Sequence, residues 1–287
     1  MVYVQLVLTA IVWGGTFIAG RLVVESVDPF AVAFMRFAIA TVALLIVTYS
    51  LEGGLALKLR QLPQILVLGL SGVFAYNIFF FLGLQTVPAG RAALIVALNP
   101  IAIALFSALF LGERLTPLKL LGIATSLWGA AIVIGRGNPL DLLTGGVQIG
   151  DLFMFGCVAS WVVYTLVGKQ VMGQLSPLVA TTSACIVGAI ALLPPALQHG
   201  LMTDIQKLSL AAGLAVLYLG LFGSALGFSW YYSGVRSIGA AKASIFINLV
   251  PIAAILLAAL LLGEPITLAL AVGGALVIAG VFCTNRG

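Results

Sequence analysis

Charge is scarce in this chain. Across 287 residues only 7% are Asp, Glu, Lys or Arg, where a soluble domain carries about a quarter. That shortage, with 62% hydrophobic residues and a mean hydropathy of +1.24, excludes a water-soluble globular protein and makes lipid the solvent for most side chains. Histidine is nearly absent: His199 is the only one, and it falls in a loop. Cysteine occurs three times, as Cys157, Cys185 and Cys283, without metal-site spacing. No Ser/His or Cys/His pair and no cluster with ligand spacing can be assembled. An enzyme is therefore not expected, and no catalytic residue, metal ligand or cofactor is assigned. The cysteines read as buried reduced thiols packed like small hydrophobes.

What the chain does have is long apolar runs with frequent glycine, the pattern of helices rather than of a barrel. Spans are predicted at about Tyr3–Val24, Phe30–Tyr49, Pro63–Gln85, Ala89–Leu111 and Thr116–Ile134. Five more follow at about Ile149–Val171, Pro177–Leu197, Ser209–Val235, Gly239–Leu262 and Ile266–Cys283. Each holds close to the ~20 residues a bilayer requires. Between the two sets lies GRGNPLDLLTGG (Gly135–Gly146), a Gly/Pro/Asn-rich link.

The two sets are copies. TVPAGRAALIVALNPIAIALFSALFLGERLTP (Thr86–Pro117) returns as SIGAAKASIFINLVPIAAILLAALLLGEPIT (Ser237–Thr267), an offset of 151 (251 − 100). WGGTFIAGRLVVESVDP returns as WVVYTLVGKQVMGQLSP at 148 (161 − 13), so the first span is a retained helix and not a cleaved leader. In the third and eighth spans Gly69, Gly72 and Gly83 meet Gly220, Gly223 and Gly234, small residues suited to close helix packing in lipid. Five spans per copy is an odd number, so the second copy enters from the opposite side. With the N-terminus inside, inner loops and tail collect Lys58, Arg60, Arg114, Lys119, Lys169, Arg236, Lys242 and Arg286. Outer loops collect Arg21, Arg91, Arg136 and Lys207. Eight against four places both termini in the cytoplasm. The expected fold is an all-α integral membrane protein with ten transmembrane helices in two inverted five-helix repeats, residues 1–138 and 147–287, joined by a linker at 139–146.

Paired mid-depth prolines in a duplicated membrane chain mark a transporter. Pro100 and Pro251 lack an N–H and free the carbonyls of Val96 and Ile247, making them the expected hinges. Asn99 and Asn248 stand beside these breaks; they either satisfy freed carbonyls or line a polar cavity, and the sequence leaves both open. Trp13, Trp161 and Tyr164 lie about half a span from either surface, too deep for an interfacial belt, and read as cavity walls. AYNIFFFLG (Ala75–Gly83) and its copy LGFSWYYSG (Leu226–Gly234) add Asn77, Phe80 and Trp230, while Tyr3, Tyr49 and Tyr231 or Tyr232 suit the belt. Arg36 lies seven residues past Pro29, roughly 10 Å along the helix. It either snorkels to the surface or holds a substrate carboxylate; its counterpart at the 148 offset is Ala184. Glu113 and Glu264 read as hairpin residues serving the start of the next helix.

All eight acids lie in loops or within about a turn of a span end. Proton-driven transporters keep a titrating group deep in the bundle, so facilitated diffusion or exchange is favoured. Net charge is +5, but the basic residues stand singly between apolar runs, so nucleic acid is not an expected partner. The expected partners are a small-molecule substrate and the lipid bilayer, with the chain a monomer.

WGGTFIAGRLVV…DPFAVAFMRFAIA, the Asn99-Pro100 break and LGERLTP together resemble the drug/metabolite transporter superfamily, in its ten-helix EamA-type exporters. The likeness covers the whole chain and is greatest to the YddG-type exporters of aromatic amino acids in bacterial inner membranes. The second half departs from it in LGEPIT and in lacking a partner for Arg36. The resemblance implies export of small metabolites by alternating access through a central cavity. The alternatives are a non-transporting membrane sensor or assembly protein, with a dry packed centre, and a carrier of drugs or nucleotide sugars on the same fold.

Overall fold

A computed structural model of the chain describes residues 2–55, 57–111, 115–140, 147–171, 174–238 and 245–286. Among the described residues every regular element is helical. Helix α1 spans Val2–Val23 and α2 spans Pro29–Glu52. The start of α2 is set by Asp28, whose side chain accepts a hydrogen bond from Phe30 N at 2.8 Å, with Pro29 supplying the fixed φ of a first helical residue. Gly53 ends it at φ +74 with its N–H on the Tyr49 carbonyl. Helix α3 spans Leu59–Leu84 and contains a π-helical stretch, Gly69–Ala75.

The fourth predicted span is two helices, α4 (Ala89–Val96) and α5 (Asn99–Leu111). Pro100 cannot donate to Val96, and the chain tightens before it, Leu98 N turning to Ile95 O at 3.0 Å. Then come α6 (Pro117–Ile134), α7 (Ile149–Val171), α8 (Pro177–Gln198) and the short α9 (Leu201–Gln206). Helix α10 runs from Leu210–Leu217 through a second π stretch, Tyr218–Leu226, into Gly227–Ile238. A 3₁₀ turn, Ile245–Leu249, precedes α11 (Val250–Leu262), so Pro251 again sits just past a break. Helix α12 is Leu268–Arg286. The predicted start of the ninth span, the Gly112–Arg114 hairpin with Glu113, and linker residues 141–146 lie outside the described residues.

Eight helical segments among the described residues are long and apolar enough to cross a bilayer, and two shorter apolar helices, Phe246–Leu262 and Leu268–Thr284, accompany them. The chain is a multi-pass membrane protein. Leu109, Leu260 and Ile190 are more than half exposed on its outside, as side chains facing lipid tails are. The main buried core runs through α1, α2, α3, α4, α7, α8 and α10, and a smaller one joins α4 and α5 to α6 and α12 around Leu94, Ile101, Ile123 and Val277.

Contacts repeat at the sequence offsets. A Cβ on Gly69 would lie 2.6 Å from Val187 Cβ, and one on Gly220 would lie 2.7 Å from Ile39 Cγ2; 220 − 69 is 151 and 187 − 39 is 148. In both halves only glycine lets the π stretch approach its neighbour. Between α6 and α12, Ser126 Oγ donates to the carbonyl of Val277 at 3.0 Å, itself 151 residues on.

One end of the bundle is bolted. Arg91, in the first turn of α4, pairs with Asp151 in the first turn of α7, Nε to Oδ1 at 2.9 Å and Nη2 to Oδ2 at 2.5 Å. Asp151 is wholly buried and Arg91 nearly so. Arg21, near the end of α1, donates to the Leu84 carbonyl at the end of α3, and Asp204 accepts from Asp28 N. Glu264 accepts from Ala89 N at 2.8 Å and Gly90 N at 3.1 Å. This corrects the expectation that Glu264 serves the next helix. It caps α4 in the other half, where the helix dipole favours a carboxylate, while Thr267 caps α12 by accepting from Leu270 N. Arg91, counted with the outer-loop cations in the sequence, lies in the first turn of α4 as a buried ion-pair partner. His199 stacks on Phe30 at 4.3 Å and reaches Asp28 at 3.5 Å. Cys157 and Cys185 are buried free thiols and Cys283 is half-buried.

Candidate functional site: a central aromatic cavity

A cavity of about 610 Å³ lies between the helices, within the range of ligand pockets. Its walls come from α1, α2, α3, α7 and α10, and from both helix breaks. Of the residues singled out in the sequence, Trp13, Arg36, Asn77, Phe80, Asn99, Pro100, Trp161, Tyr164, Asn248 and Pro251 all line it. Trp230 does not. On a helix, residues three apart share a face, and the face turned to the cavity is that of Phe228 and Tyr231. Tyr231 is thus a wall residue and not part of an interfacial belt. Thr16, Tyr76 and Lys119 were also missed; Tyr76 lies one helical turn before Phe80, a spacing that could have flagged it.

The aromatic walls form two groups. Trp13 packs against Phe228 and Tyr231, with centroids 5.7 and 5.5 Å apart. Its indole N–H donates to the Gly223 carbonyl at 2.9 Å, inside the second π stretch. Trp161 packs against Tyr76 at 5.4 Å and Tyr164 at 5.1 Å, and Phe80 joins through Tyr76 at 6.1 Å. The Tyr164 ring lies on Gly72, where a Cβ would come within 2.2 Å of it; the equivalent Gly223 faces Thr16, 148 residues before Tyr164. Trp13 is therefore hydrogen-bonded to the scaffold, whereas the Trp161 indole N–H has no partner among the described residues.

The polar groups divide in the same way. Arg36, 8% exposed, does not snorkel to the surface. Its Nε donates to Ser224 Oγ and its Nη1 to Asn77 Oδ1, both at 3.1 Å. Both ends of the Asn77 amide are engaged, since its Nδ2 donates to the Val73 carbonyl at 2.8 Å; it holds Arg36 in place. Asn248 Nδ2 is buried and donates to nothing, so it does not satisfy the carbonyl freed by Pro251, and Asn99 Oδ1 is buried without a donor. One is an unmet acceptor and the other an unmet donor.

The cavity lining continues through Thr165 and Gly168 of α7, Pro177 of α8, Lys119 of α6 and Thr284 of α12. All these lie toward the end where α1 begins, opposite the bolted end. Among the described residues no grouping of three or more His, Cys, Asp or Glu side chains could hold a metal ion.

The profile of the EamA-like transporter family matches residues 1–135 and again 148–286. The chain is 36% identical over 287 residues to a probable terminal-alkyne amino-acid exporter of Streptantibioticus cattleyicolor, covering 98% of this chain and 92% of that protein. It is 31% identical over 285 residues to the uncharacterized transporter YyaM of Bacillus subtilis, covering 99% and 93%. To the uncharacterized inner membrane transporter YedA of Escherichia coli it is 30% identical over 258 residues, covering 90% and 81%. A solved crystal structure aligns with a TM-score of 0.67 over 99% of this chain and 96% of that one, at 22% identity, a likeness of fold. The chain belongs to the EamA-like transporter family.

Proposed function

We propose that the protein is a secondary exporter of small metabolites, aromatic and bulky apolar amino acids foremost, working by alternating access. The observation that carries this reading is the central cavity itself, whose lining holds aromatic walls, the two asparagines and both helix breaks. A sensor or assembly protein with a packed, dry centre has no use for such a volume. The similarity to a probable amino-acid exporter supports the substrate class. Nucleotide sugars call for several cations at the midplane, and among the described residues the cavity lining holds two, Arg36 and, toward the end where α1 begins, Lys119.

In this reading ten spans form two five-helix repeats, residues 1–138 and 147–287, with 139–146 as linker. The two profile matches and the contacts recurring at the 148 and 151 offsets support it. Inversion is supported by the end contacts: Arg21 of α1 reaches Leu84 at the bolted end, and Gly83 packs there on Gly150 at the start of α7. The equivalent helices α1 and α7 thus run in opposite directions. With both termini in the cytoplasm of a bacterial inner membrane, the bolted end is outside and the cavity leads inward, ready to load. Pro100 and Pro251 act as hinges when the outer bolts part and the inner end closes. Trp13, Phe80, Trp161 and Tyr164 pack on the apolar part of the solute, and Asn99, Asn248 and Arg36, steadied by Asn77, bind its polar end. The carrier acts as a monomer without a cofactor. Counterflow of labelled tryptophan, phenylalanine and leucine in proteoliposomes tests this: accumulation against preloaded solute is expected, and its absence for the whole panel contradicts the assignment.

A further inference from the structure

The guanidinium of Arg36 is a full positive charge with only neutral company. Its two bonded acceptors are the Ser224 hydroxyl and the Asn77 amide oxygen. Each is itself anchored, Ser224 Oγ to the Leu219 carbonyl at 3.1 Å and Asn77 Nδ2 to the Val73 carbonyl. Helices α3 and α10 therefore clamp the group from both sides and fix its plane. Nη2 makes no hydrogen bond among the described residues, and no carboxylate among them comes within ion-pair distance; the ion pairs they make are Arg91 with Asp151 and His199 with Asp28. A buried cation without a counter-ion is costly in a membrane interior, and such groups belong to function when they persist. The cost is removed when a bound molecule brings the missing charge.

We propose, building on the exporter reading above, that the free Nη2 edge of Arg36 is the carboxylate subsite of the cavity, so that an anionic group is a requirement of the substrate. The equivalent position in the second half is Ala184, so the cavity carries this charge on one side only. The solute is thereby oriented: its carboxylate lies on Arg36, and its apolar part is directed away from that edge, to the aromatic walls. The side chains of Asn99 and Asn248 belong to the lining of the same cavity. Aromatic amines of the same size lack the group Arg36 waits for.

Binding to the purified protein in detergent, by calorimetry, separates this from transport itself. Tryptophan and indole-3-propionate (a carboxylate without an amine) are to be compared with tryptamine and tryptophan amide, which lack the carboxylate. The two carboxylates are expected to bind roughly 10- to 100-fold more tightly, as a charge-assisted hydrogen bond allows. Arg36→Gln abolishes that preference, and Arg36→Lys, which keeps the charge but not the fork, restores part of it. Elution as a single monodisperse peak shows that each variant folds. Equal binding of tryptamine and tryptophan, no binding of any of the four, or a preference retained in Arg36→Gln overturns the proposal. Selective carboxylate binding without counterflow leaves the subsite standing and instead contradicts the exporter reading.

Discussion

Asn248 Nδ2 is buried with no acceptor and Asn99 Oδ1 with no donor. Each unmet group costs about 1–3 kcal/mol relative to an apolar group of the same shape, a cost that a binding site tolerates and a helix brace has no reason to carry. Replacing either residue by leucine, which branches at the same carbon and has the same number of side-chain heavy atoms, removes that cost. The variants Asn99→Leu and Asn248→Leu are therefore expected to be more stable than the parent. At about 2–4 °C per kcal/mol for folded domains of 150–250 residues, the gain in midpoint is roughly 2–12 °C. Thermal unfolding in detergent, followed by tryptophan fluorescence, reads it. Counterflow should fall in the same variants, because the solute loses a polar partner. More stable yet less active is the expected signature. Lower midpoints in both variants would mean that the amides brace helices, and the reasoning would fail.

Two further outcomes follow from the same geometry. Asp151→Asn leaves Arg91 buried without its counter-charge, a loss of about 3–5 kcal/mol, whereas the double variant Arg91→Met/Asp151→Leu recovers most of it; an Asp151→Asn variant that melts with the parent speaks against a buried pair. Trp161→Ala removes a wall with an uncommitted indole N–H and should cut tryptophan counterflow at least tenfold while leaving the fold intact, and unchanged transport would take Trp161 out of the site.

Much of this molecule is legible in its sequence because residues out of place in lipid stand out. Trp13, Trp161, Asn99, Asn248 and Arg36 interrupt apolar runs, and each lines the cavity. The copy at 148 and 151 residues likewise announces itself through Pro100 and Pro251. What cannot be read is rotation about a helix axis. In α10 the side facing lipid and the side facing the cavity are both apolar or aromatic, so nothing in the pattern chooses Tyr231 over Trp230. The same ambiguity hid Tyr76. Long-range polar contacts were equally out of reach: Arg91 and Asp151 are 60 positions apart, and Glu264 caps a helix 175 positions before it. The π stretches are invisible for a different reason, since their glycines carry the same signal as ordinary close packing.

The claim on which everything rests is that the cavity is reached from one side of the membrane at a time. Thr16 lines it and is 6% exposed, so Thr16→Cys, in a background with Cys157, Cys185 and Cys283 replaced, reports access with a membrane-impermeant thiol reagent. In proteoliposomes of uniform orientation, without solute, labelling is expected from the side bearing the termini and not from the bolted side. With saturating solute on the side bearing the termini, labelling from that side should slow and labelling from the other should appear. Labelling from both sides at once, or from neither under any condition, would contradict the account.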